Sequence, residues 1–280
     1  MSNNKAGKLC IYHANCLDGF AAAWAVRHAL GSELEFYQGI HQQPPPEVAQ
    51  REVVLVDFSY KKQVIEAMLQ SASSITIIDH HISAEKDLSD LLDDGKIAGV
   101  FDMNKSGAVL AWHWFNPQQP LPRLIEYIQD RDLWQFKLPG TNEILAALSS
   151  YPFDFEIWDR FMVASDNELE SLRQDGIAIQ RKLLKDINEL IASGVQRMNI
   201  AGYNVPVLNA PAVYVSDAGN LMSVGEPFAA CYWDHANGRS FSLRSSDKGV
   251  DVSEVARQYG GGGHVKAAGF TMAVGWRGES

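Results

Sequence analysis

Short apolar runs alternate with amphipathic stretches through the first third of the chain. Leu9-Cys10-Ile11-Tyr12, Val53-Val54-Leu55-Val56 and Ser74-Ile75-Thr76-Ile77-Ile78 are four- and five-residue segments rich in β-branched residues, the pattern of strands buried on both faces. Between and after them, residues 19–30, 61–70 and 106–115 carry apolar positions at helical spacing. Strand and helix in alternation predict an α/β domain built on a parallel, doubly wound sheet. Gln43-Pro44-Pro45-Pro46 interrupts the pattern as a loop, because three prolines exclude a regular helix or a central strand.

From 121 to 161 the pattern is helical, with Trp134 and Trp158 expected as packing residues. The polar segment 166–191 places Leu169, Leu172, Ile177, Ile179, Leu183, Leu184, Ile187, Leu190 and Ile191 at amphipathic spacing. It predicts one long helix joining two lobes, with a homodimer face as the alternative use. Beyond about 193 the chain turns β-rich, with strands expected over 196–201, 205–208, 228–233 and 240–243. A helix starting at Asp251-Val252-Ser253-Glu254 runs to a glycine cluster. The expected organisation is a first domain over 1–165, a linker helix over 166–194 and a smaller C-terminal α/β domain over 195–280.

The chemistry-bearing residues sit where the apolar runs stop. The third run ends in Asp79-His80-His81, the first runs into His13-Ala14-Asn15-Cys16-Leu17-Asp18-Gly19, and the second stops at Asp57. Neighbouring strands of a parallel sheet end on one edge, where α/β folds put their chemistry. His13, Cys16, Asp18, Asp57, Asp79, His80 and His81 are therefore expected to face one site, offering nitrogen and oxygen ligands for divalent transition ions. Gly19 fits a tight turn that brings the following helix close behind that site.

A second cluster lies near the C-terminus. Four consecutive glycines, Gly260-Gly261-Gly262-Gly263, precede His264 and stand close to Lys266. Such a run lets backbone N–H groups approach an anion, and its alternative is a flexible hairpin.

Taken in order, His13-x-x-Cys16-x-Asp18-Gly19, Asp57, Asp79-His80-His81, Asp130-Arg131-Asp132 and the glycine run with Ala267-Ala268-Gly269-Phe270 resemble the motifs of the DHH phosphoesterase family and its C-terminal DHH-associated domain. The resemblance spans nearly the whole chain. It implies two divalent metal ions, with manganese expected. His13, Cys16 or a water in its place, and Asp57 would hold one ion; Asp18, Asp57, His80 and Asp130 would hold the other, with Asp57 bridging. Asp130 is preferred to Asp132 because it shares an inward helical face with Leu124 and Tyr127. His81 is left to act on the substrate, and Asp79 is expected to orient His80. Arg244, with Gly261, Gly262, Gly263 and His264, is implied as the phosphate-binding group. One position departs from the family pattern, since Asp is usual where this chain has Cys16. A thiolate there would favour zinc or iron; otherwise Cys16 is a bystander and one ion is held more weakly.

Composition narrows the function further. The formal charge of −10 over 280 residues opposes a protein that grips long nucleic acid through many phosphate contacts. Three cysteines without CxxC spacing argue against a disulfide framework, and the start Met1-Ser2-Asn3-Asn4-Lys5 has no apolar leader pattern, so a cytoplasmic protein is expected. The expected activity is a metal-dependent phosphodiesterase or phosphatase that hydrolyses short linear oligonucleotides, such as the dinucleotide pGpG, or the bisphosphate pAp. Tyr214, Tyr232 and Trp233 are candidates for base stacking, with core packing as their competing use. The alternatives are an inorganic polyphosphatase and a nucleotide-binding sensor weakened at Cys16. No membrane and no long nucleic acid are expected among its partners.

Overall fold

The computed structural model describes residues 7–279; the start Met1-Ser2-Asn3-Asn4-Lys5 lies outside them. The chain divides into two compact units between Gln180 and Arg181. Among the described residues no helix is long and apolar enough to cross a membrane, and all three cysteines are free.

The first unit is a five-stranded parallel sheet ordered β2-β1-β3-β4-β5, from β1 (Lys8–His13), β2 (Glu35–Gly39), β3 (Glu52–Val56), β4 (Ser74–Asp79) and β5 (Ala98–Phe101). The alternation predicted from the sequence is present: α1 (Leu17–Leu30), α2 (Lys62–Leu69) and α4 (Gly107–Phe115) match the expected helices to within two residues at each end. Two further elements had no clear apolar signature. Strand β2 is half polar because it lies at the sheet edge, and α3 (Ile82–Asp93) buries only Ala84, Leu88 and Leu91. The segment around the three prolines is a loop.

Period-two alternation divides the central strands between two cores. Cys10, Tyr12, Val54, Val56 and Ile78 face one side with α1 and α4, while Leu9, Ile11, Val53, Leu55, Ile75 and Ile77 face the other with α2 and α3. The expected helical region consists of α5 (Arg123–Asp132), α6 (Thr141–Leu148) and α7 (Phe155–Met162), all contributing to the first of these cores. Trp158 of α7 is fully buried, edge-on to Phe20 at 4.8 Å. Trp134 is not a packing residue of that kind: it stands in the loop after α5 and is 39% exposed.

Helix α8 (Asp166–Gly194) is continuous, and the division between units falls within it. Ser165 and Glu168 form a capping box at its start, with Glu168 Oε2 accepting from Ser165 N at 2.8 Å and from Ser165 Oγ at 2.7 Å. Leu169 and Leu172 join the first unit's core, whereas Leu183, Ile187, Leu190 and Ile191 pack in the second unit.

The second unit is a six-stranded mixed sheet ordered β10-β11-β9-β8-β7-β6. Its strands are β6 (Gln196–Ile200), β7 (Tyr203–Asn209), β8 (Ala229–His235), β9 (Gly238–Arg244), β10 (Gly262–Gly263) and β11 (Ala267–Met272). Helix α10 (Val252–Gln258) covers one face through Val252, Val255 and Ala256, and α9 (Val215–Met222) covers the other with Ile187. Tyr214 and Trp233 pack partly buried on one of these cores and Tyr232 on the other, which favours the packing use expected for them over base stacking.

Burial separates the two tryptophans singled out by the sequence. Trp158→Ala should lower the unfolding free energy by about 3–5 kcal/mol, since it opens a large cavity in a closed core. Trp134→Ala should cost less than about 1 kcal/mol in the same denaturant titration, as expected of a largely exposed position.

Candidate active site

The sheet register sets the site. Tyr12 pairs with Val56 and Val56 with Ile78, so the next residues along three adjacent strands, His13, Asp57 and Asp79, emerge level at one edge. Asp57 takes φ 53°, an uncommon conformation for a residue other than glycine, and its N–H donates to Ile78 O at 2.9 Å. Close packing behind the edge depends on two glycines. A Cβ on Gly19 would lie 2.5 Å from His13 O, and one on Gly107 would lie 2.5 Å from Asp57 Cβ. Gly19 thus lets α1 close behind β1 as predicted, and Gly107 lets the start of α4 reach the site. There Ala108 N donates to Asp18 Oδ1 at 3.1 Å.

Asp57 is common to three sets of ligand-competent groups. Within each, the ligand atoms lie no more than 4.8 Å apart: His13, Cys16 and Asp57; Asp18, Asp57 and His80; Asp57, Asp79 and His81. His80 Nε2 lies 3.0 Å from Asp57 Oδ1 and 3.9 Å from Asp18 Oδ2, and His13 Nδ1 lies 3.4 Å from Asp57 Oδ2. Asp18, Asp57, Asp79 and His80 form a buried floor, and His13, Cys16 and His81 are partly exposed above it.

The electrostatics of this floor call for positive charge. Burial, then the charges of Asp132 and Asp57, raise the Asp18 carboxyl well above the usual range. Burial acts the same way on Asp57, but hydrogen bonds from His13 and His80 outweigh it and hold that carboxyl well below the usual range. Burial would lower His80, yet Asp57, Asp132 and Asp18 together lift it to about 10. Asp18 Oδ2 and Asp79 Oδ2 are buried without a hydrogen bond, and Asp57 Oδ2 meets only the His13 ring nitrogen at 3.4 Å. Native proteins rarely leave such oxygens unpaired, and divalent cations would satisfy them; the donor set of carboxylates and imidazoles fits ions of the manganese or zinc kind.

Two residue assignments change. Asp130 is 5% exposed and faces inward as predicted, but it does not join this group. Its carboxylate accepts from Lys137 N at 2.7 Å, Leu138 N at 3.1 Å and Thr141 Oγ1 at 2.6 Å, which leaves it the anchor of the loop between α5 and α6. Asp132 reaches the site instead, with Oδ2 3.6 Å from His80 Nε2; burial and the neighbouring Asp57 charge raise its carboxyl despite the pull of His80. Inward direction, the criterion that favoured Asp130, selected a structural acid. Asp79 likewise orients a different ring from the one expected. Its Oδ1 accepts from His81 Nδ1 at 2.6 Å and from His80 N at 2.7 Å, while the His80 ring turns to Asp57.

The sequence reading passed over His41, in the loop after β2. Its ring centroid lies 5.4 Å from that of His13, 6.5 Å from His81 and 4.7 Å from Phe58. An isolated histidine before a proline run carries no signal, and only the position of β2 beside β1 brings it to the edge.

In the second unit the strand register places Arg244 opposite Ala267, beside the hairpin that follows the glycine run. The guanidinium is held by Ser216 Oγ at 2.7 Å, Ser242 Oγ at 2.8 Å and Leu243 O at 2.8 Å. His264 and Ala267 close the hairpin through His264 N to Ala267 O at 2.8 Å. Gly262 and Gly263 form β10, and a Cβ on Gly261 would stand 2.0 Å from Gly269 O, so strand packing already requires part of the run. Lys266 Nζ donates to Ser246 O at 2.6 Å, which directs it to backbone rather than to the glycines.

Similarity to known proteins extends over nearly the whole chain. The DHHA1 domain model matches residues 219–275. The chain is 30% identical over 290 residues to an uncharacterized protein of Acanthamoeba polyphaga mimivirus, covering 94% of this chain and 67% of that protein. It is 22% identical over 295 residues to the oligoribonuclease NrnB of Bacillus subtilis (strain 168), covering 94% and 72%. Among solved structures, a pGpG-specific phosphodiesterase of Vibrio aligns with a TM-score of 0.48 at 15% identity, covering 96% of this chain and 94% of that one.

The two neighbouring acids should behave oppositely. In chelator, Asp130→Ala should destabilise the protein by at least about 3 kcal/mol, because it strands buried donors. Asp132→Asn should leave the thermal midpoint at or above that of the wild type, because it removes a like charge. Equal losses in the two variants would contradict the reassignment.

Proposed function

The chain belongs to the DHH phosphoesterase family, and on that premise we propose that it hydrolyses short linear oligonucleotides, dinucleotides such as pGpG or the bisphosphate pAp, with two divalent ions bridged by Asp57. The observation that carries this reading is the sharing of Asp57 among three ligand-competent groups at one sheet edge. We assign His13, Cys16 and Asp57 to one ion and Asp18, Asp57, His80 and Asp132 to the other.

Bound there, such ions would supply a water of lowered pKa and would offset the negative charge that develops on phosphorus. The chain's own contribution is orientation. Asp79 orients the His81 ring through its Nδ1–H, and His81 is the group we assign to exchange a proton with the leaving oxygen. Ala108 N holds the second oxygen of Asp18, so this carboxylate meets an ion in one orientation. Arg244 and His264, with the backbone of Gly261, Gly262 and Gly263, are the second unit's candidates for binding a phosphate. The three hydrogen bonds to Arg244 set its planar fork in advance.

The substrate class is supported by the oligoribonuclease named among the relatives and by the chain's charge of −10. A few phosphates can be neutralised locally by bound ions, whereas a long strand would meet a repulsive surface.

With manganese added, the purified protein should release mononucleotides from pGpG or phosphate from pAp, and should act slowly on long RNA and polyphosphate. Preferential hydrolysis of polyphosphate, or binding of nucleotides without turnover, would replace this reading by one of its competitors. Within the same assay, Cys16→Asp should shift the optimum toward manganese if the thiol is a ligand. Unchanged metal titrations would make Cys16 a bystander.

A further inference from the structure

The loop between α5 and α6 holds two bulky residues in a conformation that side chains rarely adopt: Trp134 at φ 56° and Phe136 at φ 50°. Strain of this kind persists only where the surroundings enforce it, and it gathers at functional sites. Here the surroundings are Asp130. Its main-chain oxygen accepts from Gln135 N at 2.8 Å and Phe136 N at 3.3 Å, and its carboxylate accepts from Lys137 N, Leu138 N and Thr141 Oγ1. One buried acid thus gathers five donors to hold an outward loop.

What the loop displays is aromatic. The Trp134 and Phe136 rings meet edge to face at 4.9 Å, and the Arg131 guanidinium lies 5.1 Å from the Trp134 centroid. Trp134 nevertheless stays 39% exposed. Its place in the chain links it to the carboxylate site. Trp134 is two residues beyond Asp132, whose Oδ2 lies 3.6 Å from His80 Nε2, and two residues span at most about 7 Å.

We propose that Trp134, edged by Phe136 and backed by Arg131, is a stacking platform for a nucleobase of the substrate whose phosphate lies at the Asp57 cluster. This rests on the phosphoesterase reading above and deepens it by placing a base contact in the first unit. An indole offers a flat, amphipathic face that accepts any base, and a guanidinium over the ring keeps the platform positive toward a nucleotide. The residue binds substrate and takes no part in proton transfer.

The test compares a dinucleotide with its abasic analogue, which keeps the phosphodiester and lacks the bases. Wild-type protein should prefer the base-bearing substrate in kcat/KM, and Trp134→Ala should reduce that preference by about 5- to 150-fold, the range for loss of one base–aromatic stack. Trp134→Phe, which keeps a ring, should retain most of it, and the loss should fall on KM. An independent reading is tryptophan fluorescence: a non-hydrolysable dinucleotide should quench the wild type and fail to quench Trp134→Phe to the same extent. The same preference in wild type and Trp134→Ala, with equal quenching in wild type and Trp134→Phe, would overturn the proposal. A wild type that hydrolyses neither substrate would instead overturn the phosphoesterase reading on which it rests.

Discussion

Several carboxylates crowd around Asp57 with too little positive charge among them, and this shortage organises the site. Asp18, Asp57 and Asp79 are almost wholly buried, Asp132 stands beside them, and the imidazoles of His80 and His13 are the nearest groups that can offset their charge. Ionised carboxylates in a low-dielectric environment repel one another by several kcal/mol unless a counter-charge intervenes. In this chain the imbalance shows as an Asp18 carboxyl pushed up and a His80 imidazole held charged. Divalent ions would relieve both, and a site that needs cations to be comfortable is also one that can neutralise a phosphoryl group.

The fold tolerates this arrangement because the cost is placed where the sheet can bear it. Two apolar cores clamp the strands on both faces, so the ends of β1, β3 and β4 have little freedom to splay apart. Level register delivers His13, Asp57 and Asp79 together, and the positive φ of Asp57 turns its side chain out of the strand path. The start of α4 presents an N–H to Asp18, adding the partial positive charge of a helix N-terminus. Asp130 makes the contrast clear. It is an equally buried acid, but backbone and hydroxyl donors neutralise it in place, so it shapes a loop and needs no ion.

Most of this was legible before any coordinates. Apolar runs ending in His13, Asp57 and Asp79-His80-His81 gave both the strands and the site edge, because a buried parallel strand has a strong signature and its polar terminus stands out against it. The expectations from which the geometry departs lie within a single helix turn or between adjacent rings. Asp130 and Asp132 differ by two positions, and helical periodicity records only that one faces inward, not which donors meet it there. Asp79 could have oriented either neighbouring histidine, and only the χ angles decide. Strand β2 and His41 carried no pattern of their own, since an edge strand is half polar and its loop residues owe their place to the strand beside them. Trp134 shows the same limit from the opposite side: a large aromatic reads as core in a sequence, while a strained loop holds it out to solvent.

The account stands or falls on Asp57 as the shared ligand of two ions. Titrating metal-free protein with manganese in a calorimeter should give two ions per chain, together with a rise in thermal midpoint equivalent to about 5 kcal/mol, or roughly 2.7 kcal/mol per site, when each site is held near a hundredfold above its dissociation constant. Asp57→Asn should abolish both binding events while circular dichroism shows the fold intact. Two ions bound with unchanged affinity in Asp57→Asn would contradict the bridging role and, with it, the assignment of the site.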